Sequence, residues 1–340
     1  MLARDLPALT EIPEGVKMFR LPYPELPFGL GLHGTRRNCA RLVRQKQFDV
    51  VAGFGVQAPE HSVVWIQSVH AAWWDQSRQN RRGISRLRQV ANPFHHIVLS
   101  MEDELLRERR YKRLIALTPT VLGDLQRFYG VPAADVDILP NGYNSNEFNV
   151  GLRELYRVEQ RRQIGVPLDA WVVLFVANEW ERKGLLPLME AVAALGEPNI
   201  HLVAVGRLPE PMVHRKAADL GLFGRVHTVG STSSVNRWFG MADVFALPTV
   251  YEAWGMVVIE AMASGLPVLT SSLAGASEAV EVGKSGFLVQ DPRSVEEIVD
   301  GLERLREGLA WDFNLISKSV YKYEWNVIFD KYKTILMRSR

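Results

Sequence analysis

From position 172 to 270 the chain repeats one rhythm: a short apolar run, a polar or glycine-bearing loop, then a helical pattern. The runs fall at 172–177, 201–205, 226–229, 244–248 and 267–270, with helical patterns at 184–195, about 211–221, 233–241 and 255–264 between them. Runs that are continuously apolar belong to strands covered on both faces, and regular alternation with helices predicts a parallel sheet carrying helices on each side. In such a sheet ligand-binding groups gather in the loops at the carboxyl edge. The first half follows the same rhythm less regularly, with expected strands at 50–54, 63–67, 97–99, 114–118 and 136–139.

A chain of 340 residues that is 47% hydrophobic can build two such domains. The polar segment 149–167, with a helix over 152–163, is the expected hinge. Residues 1–165 carry 23 basic and 17 acidic side chains, and residues 166–340 carry 17 and 21, so the first half is basic and the second acidic. A basic first half suits an anionic partner. The single cysteine, Cys39, rules out an intrachain disulfide and any multi-cysteine metal site. No apolar run reaches the length of a spanning helix, and the opening residues are too polar for a secretory leader. The expectation is a cytoplasmic protein, with peripheral contact at the inner face of the cell membrane left open.

The segment YEAWGMVVIEAMASGLPVL, 251–269, carries the chemistry. Its helix has almost no polar face, yet bears Glu260, and Glu252 stands just before it. Gly265 and Pro267 end it. The first-turn amides of Gly255, Met256 and Val257 lack partners within the helix and suit phosphate oxygens. The two carboxylates read in either of two ways: Glu260 on an internal hydroxyl or arginine with Glu252 in solvent, or both accepting hydroxyls of a bound sugar nucleotide. Upstream, VVLFVA opens into NEWERKG, which puts Asn178, Glu179, Arg182 and Lys183 at a strand's carboxyl end. Cations there can hold a diphosphate, Arg182 as a fork and Lys183 as a point charge; the alternative is a solvated cluster.

These residues resemble the E-x7-E signature of the retaining glycosyltransferases of family 4, which have the GT-B architecture. LPNGYNSNEF at 139–148 is similar to the family's segment before the interdomain linker, and ERKG at 181–184 to its phosphate-binding turn. SSLAGASEAV at 271–280 resembles its GG-x-x-E loop, and KYEWNVIFDKYKTIL its C-terminal tryptophan-bearing helix. The resemblance spans about 48–336 and implies an α/β fold of two Rossmann-like domains, with parallel sheets facing across a cleft. It implies an acceptor-side domain over 1–150, a nucleotide-sugar domain over 151–318, and a C-terminal helix at 319–340 packing back toward the first. The implied reaction is retaining transfer of a sugar from a UDP-, GDP- or ADP-sugar to a glycan or glycolipid hydroxyl, as in lipopolysaccharide or surface-glycan assembly. No tightly bound cofactor and no metal are implied. Two alternatives are a nucleotide-sugar-binding subunit without transfer and a nucleotide-sugar hydrolase or epimerase.

Residue by residue, the resemblance assigns His70, Lys183 and Glu252 to catalysis. It assigns Arg182, Lys183, Glu252, Gly255, Met256, Val257, Glu260 and Glu278 to the donor. His70 sits in VVWIQSVHAAWWD, read as a strand running into a loop with Trp73, Trp74 and Asp75; a structural histidine is the other reading. Asn178 stands where relatives often have arginine, a charge that Arg182 would supply instead, and Ala276 replaces a common glycine. Asp135-Val136-Asp137 is the one Asp-x-Asp of the chain, and no metal-ligand histidine spacing is present. Arginine clusters at 78, 81, 82, 86 and 88 and at 107, 109, 110 and 113, the second with Lys112, suit a phosphorylated glycan, an anionic membrane or plain solubility, and lack any nucleic-acid motif.

Two further expectations concern the ends. Relatives open on a buried strand, a glycine loop and a long helix, and MLARDLPALTEIPEGVKMFRLP shows no such unit; GLGLHG at 29–34 reads as a loop into a helix over 34–46. A late recorded start or a reduced first domain would account for that, and donor binding could then survive without transfer. Tyr321, Trp325, Phe329, Tyr332 and Leu336 make a helical stripe expected to pack against the fold.

Overall fold

A computed structural model describes residues 2–3, 19–20, 31–46, 48–80, 83–307 and 311–340. The chain divides into two compact units, Met1–Pro140 with Asp330–Arg340, and Asn141–Phe329.

The first unit contains β1 (Leu2–Ala3) paired in parallel with β2 (Phe19–Arg20). A separate parallel sheet runs in chain order through β3 (Ala52–Phe54), β4 (Val63–Ile66), β5 (Arg113–Ala116) and β6 (Val136–Ile138). All four residues of β4 are buried, as a central strand requires. Tyr332, near the end of the C-terminal helix Trp325–Arg338, packs its ring on Trp65 of β4 at 5.0 Å.

The second unit holds six parallel strands: β7 (Trp171–Val176), β8 (Ile200–Val205), β9 (Val226–Val229), β10 (Val244–Leu247), β11 (Val268–Ser271) and β12 (Gly286–Val289). Their spatial order is β12-β11-β10-β7-β8-β9. The chain therefore enters mid-sheet at β7, winds out through β8 and β9, then returns beside β7 as β10 and winds out the other way. Loops after β7 and β10 leave the sheet in opposite senses, which opens a crevice at that switch point. Helix Leu152–Gln163 is fastened beneath β10: Arg153, Arg157 and the fully buried Arg161 all pair with Asp243. Asp243 also accepts the Val172 N–H at 2.9 Å, which ties the helix to β7.

Most expected strands lie within two residues of the observed bounds, and the differences elsewhere have local causes. The expected strand at 97–99 is instead the middle of helix Pro93–Glu102, whose N-terminus is capped by the Asn92 side chain receiving the Phe94 N–H, with Pro93 at the first position. Val98 and Met101 are its buried positions, three apart, and they pack with Leu32. The loop expected to bear His70 is helix His70–Asn80. The helix expected at 34–46 spans Gly31–Gln45, so Gly31 to Gly34 of GLGLHG are helical while residues 29 and 30 lie outside the described residues. The opening strand-and-glycine-loop question likewise falls mostly on residues 4–18 and 21–30, outside that description. The C-terminal stripe is interrupted: Tyr321 is exposed in a short turn, Phe329 is exposed, and Val320, Tyr323, Ile328 and Ile335 are the buried apolar positions. Glu324 turns the chain there, its carboxylate accepting the Asn326 N–H at 2.6 Å.

Candidate active site

Several of the residues that the resemblance assigns to the donor meet at the switch point. The loop after β7 ends at Gly184, whose φ of 84° is open to glycine and whose missing Cβ would lie 2.1 Å from the Pro248 carbonyl oxygen. Only glycine lets this loop lie against the loop after β10. Across that contact the Arg182 carbonyl accepts the Val250 N–H at 3.0 Å. The neighbouring Lys183 ammonium is thereby aimed at Glu252, with which it forms an ion pair, both side chains being largely buried. Burial and the adjacent Arg182 charge bring Lys183 down to about 7, with Glu179 acting in the opposite sense.

Arg182 is committed within the loop. Its Nε and Nη2 donate to the two oxygens of Glu179 at 3.0 and 3.1 Å, and its Nη1 donates to the Tyr251 carbonyl. Asn178 caps the next loop instead of offering charge, its Oδ1 accepting the Arg207 N–H at 3.0 Å.

Gly255, at φ 100°, turns the chain from Glu252 into helix Met256–Ala263. Within the helix the first bond is Val258 N–H to the Gly255 carbonyl at 3.0 Å, so the amides of Gly255, Met256 and Val257 precede the hydrogen-bonded ladder. Met256 is exposed beside them. Glu260 follows one turn later, pushed up to about 7 by burial and then by the charge of Glu147. Among the described residues its carboxylate has neither a hydrogen-bond nor an ion-pair partner. The first of the two sequence readings, an internal hydroxyl or arginine for Glu260 and solvent for Glu252, therefore does not describe this arrangement.

Glu278 lies on the short helical turn Gly275–Ala279, which is joined to this region through backbone bonds: Gly275 N–H to the Glu252 carbonyl at 2.9 Å and Ala276 N–H to the Trp254 carbonyl at 2.6 Å. Burial raises the Glu278 carboxyl, and Lys322 partly offsets this.

His70 belongs to the first unit, as the first residue of helix His70–Asn80. Glu102 supplies what the helix start lacks: one carboxylate oxygen accepts the His70 N–H at 2.6 Å, and the other accepts the Ala71 N–H at 3.1 Å and the Tyr129 hydroxyl at 2.6 Å. The His70 ring lies 3.1 Å from His95 through its Nε2 and stacks on Trp73. Burial, then His95, draws it down to about 4, so it is neutral at neutral pH. Sequence reasoning missed the roles of Glu102 and His95, which reach His70 across 32 and 25 positions, and of Tyr129, which reaches Glu102 across 27.

The second basic cluster is largely paired. Arg107 meets Asp103, Arg110 meets Glu60, Glu104 and Glu108, and Arg113 meets Asp137. In the first cluster Arg81 and Arg82 lie outside the described residues. Among the described residues no three His, Cys, Asp or Glu side chains stand together as metal ligands, and no helix is long and apolar enough to cross a membrane.

Two parallel-sheet α/β units, the second with ligand groups at its switch point, define the GT-B class of architecture. Solved structures share it over nearly the whole chain: WaaG, a glycosyltransferase involved in lipopolysaccharide biosynthesis, superimposes with a TM-score of 0.73 at 22% identity, covering 96% of this chain and 88% of that one. Anabaena HepE in complex with UDP-glucose gives 0.61 at 20% identity, over 82% and 72%. Family profiles match twice, Glycosyltransferase Family 4 over residues 2–147 and Glycosyl transferases group 1 over residues 170–307. An uncharacterized glycosyltransferase of Methanocaldococcus jannaschii is 30% identical over 226 residues, 64% of this chain and 57% of the relative. The chain thus spans under two thirds of the length of the first curated relatives it matches. It has the GT-B fold, and each of its units is similar in sequence to glycosyltransferases.

Proposed function

We propose that the chain transfers a sugar from a nucleotide-sugar donor to a hydroxyl of a glycan or glycolipid, with retention at the anomeric carbon. The observation that carries this reading is the Lys183–Glu252 pair at the sheet's switch point, beside the leading amides of helix Met256–Ala263. In this reading the amides of Gly255, Met256 and Val257 and the Lys183 ammonium take the donor diphosphate. Glu252 and Glu278 take hydroxyls of the transferred sugar, and Glu260 takes the ribose.

Lys183 and Glu252 neutralise each other in the free site, which keeps a buried cation tolerable until the diphosphate arrives. As the glycosidic bond breaks, charge grows on the departing phosphate, and fixed donors there favour the transition state over the ground state. The acceptor hydroxyl attacks on the same face, and the leaving phosphate takes its proton. In this reading His70, a neutral ring, acts on the acceptor side of the reaction. Arg182 joins the diphosphate site only by leaving Glu179. HepE binds UDP-glucose and WaaG serves lipopolysaccharide biosynthesis, which favours a UDP-sugar and a surface-glycan acceptor.

Incubation with UDP-, GDP- and ADP-sugars and surface-glycan fragments, read by product NMR, tests this. An α-linked product from an α-configured donor is the expected result. Donor cleavage without any glycosidic product favours the hydrolase alternative, binding without turnover favours the partner-subunit alternative, and absence of binding across the panel removes the assignment.

A further inference from the structure

One helix, Pro93–Glu102, holds His70 twice. His95 and Glu102 are seven positions apart, two helical turns, and so lie on the same face. From that face Glu102 fixes the backbone of His70 through the His70 and Ala71 amides, and His95 meets its ring. Glu102 is itself immobile: it is 3% exposed and bonded to the buried Tyr129.

The ring contact has a chemical consequence. At 3.1 Å, His70 Nε2 and His95 Nδ1 share one hydrogen, and whichever ring supplies it, Nε2 of His70 is occupied. Among the described residues His70 Nδ1 has no hydrogen-bond partner. Both rings are further held by aromatic contacts, His95 tilted against Trp73 at 5.2 Å and Trp74 at 4.7 Å, His70 stacked on Trp73 at 5.2 Å and edge-on to Phe94. A neutral imidazole has one donor and one acceptor nitrogen, so the role that Nε2 takes in this bond, donor or acceptor, decides the opposite role for Nδ1. We propose that His95 is a positioning residue that locks His70 in a single tautomer and leaves Nδ1 as the atom presented to substrate. This rests on the reading of His70 as an acceptor-side residue, and extends it to a specific atom and to the side chain that sets it.

The test uses the full chain with 15N-labelled histidine and three variants. His95→Phe keeps an aromatic ring in the stack and removes the hydrogen bond; His95→Asn places an amide near the Nδ1 position. In the wild-type chain, long-range 1H–15N correlations, assigned with His70→Gln, are expected to show one His70 tautomer. His95→Phe is expected to show a mixture, with kcat down about tenfold or more, on the scale of other lost orienting bonds, and the donor KM within about twofold. His95→Asn is expected to restore the single tautomer and most of kcat. The proposal is overturned if His95→Phe keeps one tautomer and full kcat, or if His95→Asn is as impaired as His95→Phe in both readouts, since packing alone would then explain His95. Full transfer by His70→Gln overturns the underlying reading of His70 instead. That failure is distinguishable because the tautomer signals of wild type and His95→Phe are read without turnover.

Discussion

Glu260 is a buried carboxylate beside the like charge of Glu147, and replacing it by glutamine should expose the cost. The folded carboxyl titrates at about 7, against 4.5 for an ordinary glutamate. Below pH 4.5 both the folded and unfolded chains carry the proton, and the group is neutral with respect to stability. Between 4.5 and about 7 the unfolded chain ionises first, so stability falls as pH rises, by about 1.36 kcal/mol per pH unit. Above about 7 the loss is complete, with an upper value of about 3 kcal/mol. Glu260→Gln removes the titration while keeping the shape. Its advantage over wild type should be near zero at about pH 4.5 and grow to about 3 kcal/mol at about pH 8, equivalent to a Tm rise of roughly 6–12 °C for a unit of this size. The same change should weaken nucleotide-sugar binding about tenfold or more, since a charged acceptor is lost. Thermal melts of both chains across that pH range check it. Equal melting at about pH 8, or a less stable Glu260→Gln chain, would refute the reasoning.

Lys183 and Asp243 yield two further predictions. A diphosphate bound to Lys183 raises an ammonium that titrates at about 7 in the free site, so in a Glu260→Gln chain, where the other group titrating at about 7 is gone, UDP affinity should fall by up to about tenfold per pH unit above that pH; calorimetric titrations of that chain in buffers of differing ionisation enthalpy would also register proton uptake, and affinity that does not fall above about pH 7 would contradict it. Burial works against ionised Asp243, but Arg161, Arg157 and the Val172 N–H outweigh it and hold its carboxyl below the ordinary value. Asp243→Asn should therefore cost about 3–5 kcal/mol by leaving the buried Arg161 unpaired, measurable by urea unfolding.

The second unit was legible because its strands are buried on both faces: WVVLFV and IHLVAV are continuous apolar runs separated by glycine-bearing loops. Lys183 and Glu252 could be matched because each ends a strand's loop, and a doubly wound sheet brings such loops together. The first unit resisted for the same physical reason in reverse. Ile97-Val98-Leu99 is as apolar as a strand, and only the Asn92-Pro93 start and the spacing of Val98 and Met101 mark it as helix. The helix that begins at His70 gives no start signal in the sequence because Val69 stands where a capping side chain would; the cap, Glu102, comes from 32 positions away. Arg182 shows the limit of charge reading: the residue type suits a phosphate, while the fold binds it to Glu179 and Tyr251.

Titration of UDP into the wild-type and Lys183→Ala chains at about pH 6.5 reaches the central claim, that Lys183 and the leading amides of helix Met256–Ala263 hold the donor diphosphate. Saturable binding by wild type, weakened about tenfold or more in the variant as expected for a lost charged hydrogen bond, is the predicted result. Equal affinity in a folded Lys183→Ala chain, or no binding by wild type, would contradict it.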